Sequence, residues 1–107
     1  SRNVVVMESE QRKQLHIAAV FACNFSNQMY HIADNLLAEK DIDFNILLPL
    51  IKQTVTKLEN NKPKAVQTGP AKRKDIKIIQ EHINLIQQED IKKLYHKISN
   101  NIIKTHE

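Results

Sequence analysis

The sequence has very few of the residues that turn or interrupt a chain. Its 107 residues include one glycine and three prolines, and aromatic residues make up 5%. Leucine and isoleucine dominate the apolar residues. This profile favours helices over strands joined by tight turns, and we predict an all-α fold of four or more helices in a single domain. Phosphate-binding loops need several glycines, so the sequence contains neither a P-loop nor a G-x-G-x-x-G turn.

Cysteine is almost absent too. The lone Cys23 has no partner for an internal disulfide, which favours a reducing, cytoplasmic location. It lies in an apolar stretch, so we expect it to be a small buried hydrophobic residue. No run approaches the roughly 18 apolar residues that span a membrane, and the start does not resemble a secretory signal. We therefore expect no membrane partner.

The histidines do not form a metal-binding pattern. None of the five pairs with another at the i, i+4 spacing of a helical zinc site; they are His16, His31, His82, His96 and His106. No G-x-S-x-G motif is present, and a cysteine in apolar surroundings is a poor nucleophile. We predict no metal and no covalent chemistry by this chain.

The longest feature is a first helix from about Ser9, its predicted N-cap, to Glu39. Between Leu15 and Phe25 it is apolar on nearly every side, which indicates a buried helix. A helix of about 30 residues is about 45 Å long, whereas a 100-residue domain has a radius of gyration near 13 Å. We expect a partner surface, most simply a second copy, although a break near Asn24 to Asn27 would also shorten the rod.

Three more helices are predicted along the rest of the chain. The second runs from its N-cap Asp43 to Asn60, with Pro49 marking a kink or a late start. An irregular stretch occupies residues 62–74. The third helix covers residues 75–86 and the fourth residues 90–104, each with isoleucines on one face.

Polar residues interrupt the apolar first helix. Burying His16, Asn24 or Asn27 without partners would cost roughly 1–3 kcal/mol each. Such polar side chains are tolerated if they hydrogen-bond to one another or if they line a cleft. For the two asparagines both interpretations stay open. Asn24, Asn27 and His31 lie on neighbouring turns and could reach one ligand. For His16 alone, a satisfied core histidine is the simpler interpretation.

The only glycine lies in a polar loop that precedes the third helix. Gln67 and Thr68 offer side-chain donors, Gly69 permits unusual backbone geometry or a close approach, and Arg73 can bind a carboxylate or phosphate. Asp75 would cap the helix or hold Arg73. A plain surface loop explains the same residues, so the site remains one of two readings.

The formal net charge of +4 is compatible with an anionic partner. A helical module that binds nucleic acid is therefore an alternative. Few aromatic residues and no helix-turn-helix signal speak against it, and we do not expect nucleic acid as a partner. A purely structural dimerisation domain is a further alternative.

Three segments, in order, are similar to a known family. They are HIAAVFACNFSN at residues 16–27, LLPLI at 47–51 and QTGPAKRKD at 67–75. Together they resemble the helical C-terminal domain of the Rossmann-like oxidoreductases grouped as domain of unknown function 2520. That domain is similar to the C-terminal domains of ketopantoate reductase, pyrroline-carboxylate reductase and 6-phosphogluconate dehydrogenase.

The resemblance implies that this chain is one part of an enzyme. Residues 1–8 would be a linker from an N-terminal dinucleotide-binding domain that binds most of the NAD(P), and residues 9–107 a domain for substrate binding and dimerisation, inactive by itself. The implied substrate-binding residues are Asn24, Asn27, Gln67, Thr68, Gly69 and Arg73. The relatives carry a lysine four residues before the asparagine that matches Asn24. Val20 occupies that position here, which leaves His16 as the candidate general acid or base.

Overall fold

The computed structural model describes residues 6–107. Residues 1–5, which include Val4, Val5 and most of the predicted linker, lie outside the described part. Within residues 6–107 there are helices and no strands, which confirms the all-α prediction. The α-helices are α1 (Ser9–Ala19), α2 (Ser26–Ala38), α3 (Leu48–Thr56), α4 (Ile76–Leu85) and α5 (Glu89–Thr105). The chain divides into two compact units, with the boundary between Ile51 and Lys52.

The first unit contains one long helical run. Helix α1 passes directly into a π-helical segment, Val20–Phe25, and that segment into α2. The predicted alternative of a break near Asn24 to Asn27 is wrong, because the helix widens without ending. Ser26 contributes locally, since its Oγ donates to the Ala22 carbonyl oxygen (2.8 Å). The rings of Phe21 and Phe25 meet edge to face, with centroids 5.0 Å apart.

The start of α1 differs by one residue from the prediction. The N-cap is Glu8, and Ser9 is already helical. The Glu8 backbone N–H donates to Oε1 of Gln11 (2.9 Å), as in one half of a capping box. With Ser9 as the cap, Arg12 would have stood at the partner position. Moving the cap to Glu8 puts Gln11 there instead, which explains the shift.

The long helical run is not covered by its own chain. None of the residues in α1, the π-helical segment or α2 is buried. Ile17 is 53% exposed and Phe21 66% exposed. Cys23 is exposed as well, so its predicted burial is wrong for the chain by itself. A rod of this length has more apolar surface than one short chain can cover.

The predicted second helix is divided into three pieces. A 3₁₀ helix, Phe44–Leu47, precedes α3, and another, Lys57–Glu59, follows it. The predicted cap is confirmed, since Oδ1 of Asp43 accepts from the Asn45 backbone N–H (2.8 Å). Pro49 is the second residue of α3, where its missing N–H costs no helical hydrogen bond. It marks a late start, as predicted.

The second unit holds the buried residues of the described chain. Ala71, Ile79, Ile86 and Ser99 are all less than a tenth exposed. Helices α4 and α5 lie within two residues of their predicted bounds. The predicted irregular stretch at residues 62–74 contains a short 3₁₀ helix, Pro63–Val66.

One hydrogen bond joins α4 to α5. His82 Nδ1 and the Tyr95 hydroxyl are 2.7 Å apart, and the two rings meet edge to face at 5.8 Å between centroids. Burial raises the pKa of Tyr95, because the charged phenolate loses solvation.

Helix α4 offers a matched pair for testing this core. Ile79 is 7% exposed and Ile76 is 62% exposed. We expect Ile79→Ala to lower the free energy of unfolding by about 2–4 kcal/mol, the cost of a lost side chain and a cavity. Ile76→Ala should change it by less than about 0.5 kcal/mol. Urea denaturation followed by circular dichroism measures both, and equal losses would contradict the assigned core.

Candidate functional site

The predicted site residues of the first unit are exposed in the chain by itself. His16 lies on α1, and Asn24 lies in the π-helical segment. The expected cost of burying these groups therefore does not arise in the described chain, and their polar atoms face solvent. Single π-helical turns inside α-helices are frequent at functional sites.

Asn27 lines a small open cavity on α2. The cavity, which we call the α2 cavity, has a volume of about 180 Å³ and is formed by Asn27, Tyr30, His31, Asp34 and Phe44. Four of these residues follow the spacing i, i+3, i+4, i+7, which places them on one face of α2. Of the predicted residues Asn24, Asn27 and His31, the last two line the cavity and Asn24 does not.

Two contacts give the α2 cavity its shape. The rings of Tyr30 and Phe44 stand 6.5 Å apart at 61°, which holds the Phe44 segment against α2. Nδ2 of Asn35 lies 3.3 Å from Nε2 of His31. The two side chains lie one helical turn apart on α2, within hydrogen-bond distance of each other.

Sequence reasoning missed three members of this cavity. Tyr30 and Asp34 could have been found, because they follow Asn27 at helical spacing. Phe44 lies within the predicted second helix, and its place beside α2 depends on the turn between them. In that turn Asp41 has a φ of 57°.

The predicted residues of the second unit surround a turn of unusual backbone geometry. Residues 67–74 form the glycine loop, in which Gly69 has a φ of 100° and Lys74 a φ of 56°. The Asp75 N–H donates to the Pro70 carbonyl oxygen (2.9 Å). A Cβ at Gly69 would meet nothing within 4 Å. The glycine is therefore required by its backbone angle and not by a close approach.

Two side chains in or next to the glycine loop make hydrogen bonds to the backbone. Nε2 of Gln67 donates to the Thr68 carbonyl oxygen (3.0 Å). Oδ1 of Asp75 accepts from the Ile78 N–H (3.3 Å), so Asp75 caps α4, which was one of its two predicted roles. Arg73 is exposed and makes no ion pair within the described residues.

Cations gather around this loop without acidic partners. Within residues 6–107 the one ion pair joins Lys92 to Glu89 at 3.9 Å. Partial burial of the His106 ring, and then the charges of Lys72 and Lys64, lower the pKa of His106. These two lysines come from different segments, so the loop and the chain end share one positive field.

In the described part of the chain, no group of three or more histidine, cysteine or acidic side chains could hold a metal ion. No helix in that part is both long and apolar enough to cross a membrane. A second cavity, of about 390 Å³, lies at the end of α5 and contains none of the predicted site residues.

The backbone angles of the glycine loop predict opposite effects for two substitutions. Gly69→Ala should lower the free energy of unfolding by about 1–2 kcal/mol, because alanine is strained at positive φ. Lys74→Gly should raise it by about 0.5 kcal/mol, since glycine adopts the left-handed region freely. Thermal or urea denaturation measures both. A stabilising Gly69→Ala would show that the loop does not hold this conformation in solution.

The positive field around His106 predicts a shift in its titration. Lys72→Gln should raise the pKa of His106, because it removes one repelling charge from the protonated ring. Lys77→Gln removes a charge that is not one of the two named above, and it should change the pKa less. A pH titration of the histidine ring signals by NMR distinguishes the two. If the pKa of His106 were the same in the two variants, the proposed effect of Lys72 would be contradicted.

Comparison with known proteins agrees with this fold. No curated protein matches the chain. A crystal structure described as a "putative NADP oxidoreductase" from Bacteroides fragilis superimposes with a TM-score of 0.91 at 42% sequence identity. The match covers 97% of this chain and 40% of that protein, so this chain spans about two fifths of its length. A family model described as domain of unknown function (DUF2520) matches residues 1–102. The chain therefore belongs to the DUF2520 family, as its three motifs predicted.

Proposed function

We propose that this chain is the substrate-binding and dimerisation domain of an NAD(P)-dependent oxidoreductase. The observation that supports this most is the match at 42% identity over 97% of the chain to a longer protein described as a "putative NADP oxidoreductase". The cofactor would be bound mainly by an N-terminal dinucleotide-binding domain, because a chain with one glycine cannot form that fingerprint turn. The chain alone would be inactive, and the enzyme would work in the cytoplasm.

Each unit has its own set of proposed substrate-binding residues. In the first unit, the amides of Asn24 and Asn27 would hydrogen-bond a carbonyl or hydroxyl oxygen. In the second unit, Arg73 would bind an anionic group, and the glycine loop would position it. The exposure of Asn24 and Arg73 supports this role, since both keep their polar atoms free for a ligand.

His16 is the proposed general acid or base. Val20 stands where the relatives carry a lysine, so this chain lacks the family's usual proton donor. An imidazole titrates near neutral pH and can replace an ammonium group in proton transfer. The exposure of His16 on α1 leaves its ring nitrogens accessible.

Dimerisation would cover the surface of the first helical run. Its exposed apolar side chains form what we call the uncovered surface, namely Leu15, Ile17, Phe21 and Phe25. Each fully buried side chain of this kind contributes about 1.5–3 kcal/mol. A second copy is the proposed partner, because a self-complementary helix can bury the same residues on both subunits.

Nucleotide binding tests which domain of the enzyme binds the cofactor. The intact protein, with its preceding domain, should bind NADPH, whereas this chain alone should not. NADPH fluorescence on titration measures both. Binding by the chain alone would overturn the proposed role of the preceding domain.

The role of Asn24 is tested in the same intact protein. Asn24→Leu should retain NADPH binding and lower the rate of NADPH oxidation with a carbonyl substrate by about tenfold or more, since a lost hydrogen bond in the reaction is worth about 1.4 kcal/mol or more. Asn101→Leu on exposed α5 is the matched control and should leave the rate unchanged. Equal rates for both variants would favour a structural role for Asn24.

The uncovered surface predicts the oligomeric state. In sedimentation equilibrium at micromolar concentration, the chain should be a dimer, and Phe21→Glu with Phe25→Glu should weaken the dimer by about tenfold or more, because buried aromatic side chains dominate interface energies. Leu85→Glu, at a residue 78% exposed on α4, should leave the dimer intact. A folded wild-type monomer would refute dimerisation through the uncovered surface.

A further inference from the structure

We propose that the α2 cavity binds a small protonated amine. The proposal rests on the proposed function in one respect, namely that the amine would be a group of the enzyme's substrate. It assigns a ligand class to a cavity that includes Asn27 and His31, two residues that the sequence analysis placed near one ligand. Three features of the cavity support it: its charge, its aromatic wall and its hydrogen-bond acceptors.

The charge of the α2 cavity is negative. Asp34 is the single Lys, Arg, Asp or Glu side chain in α2, and it makes no ion pair within the described residues. It lies in the C-terminal half of the helix, where the helix dipole also favours a cation. The first unit as a whole carries four Lys and Arg against six Asp and Glu. A bound ammonium would therefore be attracted both by Asp34 and by its surroundings.

The aromatic wall suits an alkyl ammonium. Tyr30 and Phe44 are half-buried, and their rings meet at 61°. A ring pair in this arrangement offers an apolar surface for an alkyl chain and a π face for a cation. The volume of about 180 Å³ restricts the ligand to a small group.

The hydrogen-bonding groups of the cavity also favour a ligand that donates hydrogen bonds over an anionic ligand. An ammonium group donates three hydrogen bonds, and the Asp34 carboxylate, the Asn27 carbonyl oxygen and the Tyr30 hydroxyl can accept them. His31 also lines the cavity, and its Nε2 lies 3.3 Å from Nδ2 of Asn35. A carboxylate or phosphate would instead meet the charge of Asp34.

Three probes of similar shape test the charge. They are isobutylammonium, the neutral isobutanol and the anionic isobutyrate, each titrated into the full chain at constant ionic strength. The side-chain amide signals of Asn27 and the ring signals of His31 report binding by NMR. We expect isobutylammonium to shift both sets at millimolar concentration, isobutanol to bind at least about threefold more weakly and isobutyrate not to bind. Isobutanol or isobutyrate binding as tightly as the amine would overturn the proposal.

Two substitutions then test the residue that carries the charge. Asp34→Asn keeps the shape and should weaken isobutylammonium binding by about threefold or more, the scale of a solvent-exposed ion pair. Glu39→Gln, just beyond α2, removes the same charge outside the cavity and should have a smaller effect. Equal losses would mean that only the general field attracts the amine, which contradicts a site. No nucleotide or turnover is involved, so the result stands apart from the oxidoreductase test.

Discussion

The apolar surface of the long helical run is the constraint on which the first unit depends. Residues from Ser9 to Ala38 form one continuous helical rod, and its own chain buries none of them. The buried apolar residues of the described chain, Ala71, Ile79 and Ile86, all belong to the second unit. Helices owe most of their stability in proteins to packing of an apolar face. The first unit therefore leaves the apolar side chains of this helical run exposed.

Local signals in the sequence predicted most of the helix bounds. Asp43 and Asp75 cap helices through their own side chains, and Pro49 fixes where α3 begins. Each of these signals acts within a few residues, so the sequence alone is sufficient. The N-cap of α1 was misplaced by one residue because Glu8 relies on Gln11 and not on a serine.

Features that depend on distant residues or on helix widening were not predictable in the same way. The π-helical segment has no composition that separates it from an α-helix. Its wider i→i+5 turn changes which side chains share a face. Asn27 and His31 line the α2 cavity, whereas Asn24, which lies in the π-helical segment, does not. Phe44 reaches the cavity from beyond a turn, a placement that periodicity within one helix does not reveal.

Charge is distributed unequally between the two units. This affects what the formal net charge of +4 indicates about an anionic partner. The second unit carries twelve Lys and Arg against six Asp and Glu, whereas the first carries four against six. A polyanion would therefore be attracted to Lys64, Lys72 and Arg73 but repelled by the first unit. The overall basic charge is weak evidence for nucleic acid, because an extended anionic partner needs one continuous positive surface. A small charged ligand needs only one local region of suitable charge. Here the formal charge of the first unit is negative and that of the second unit is positive.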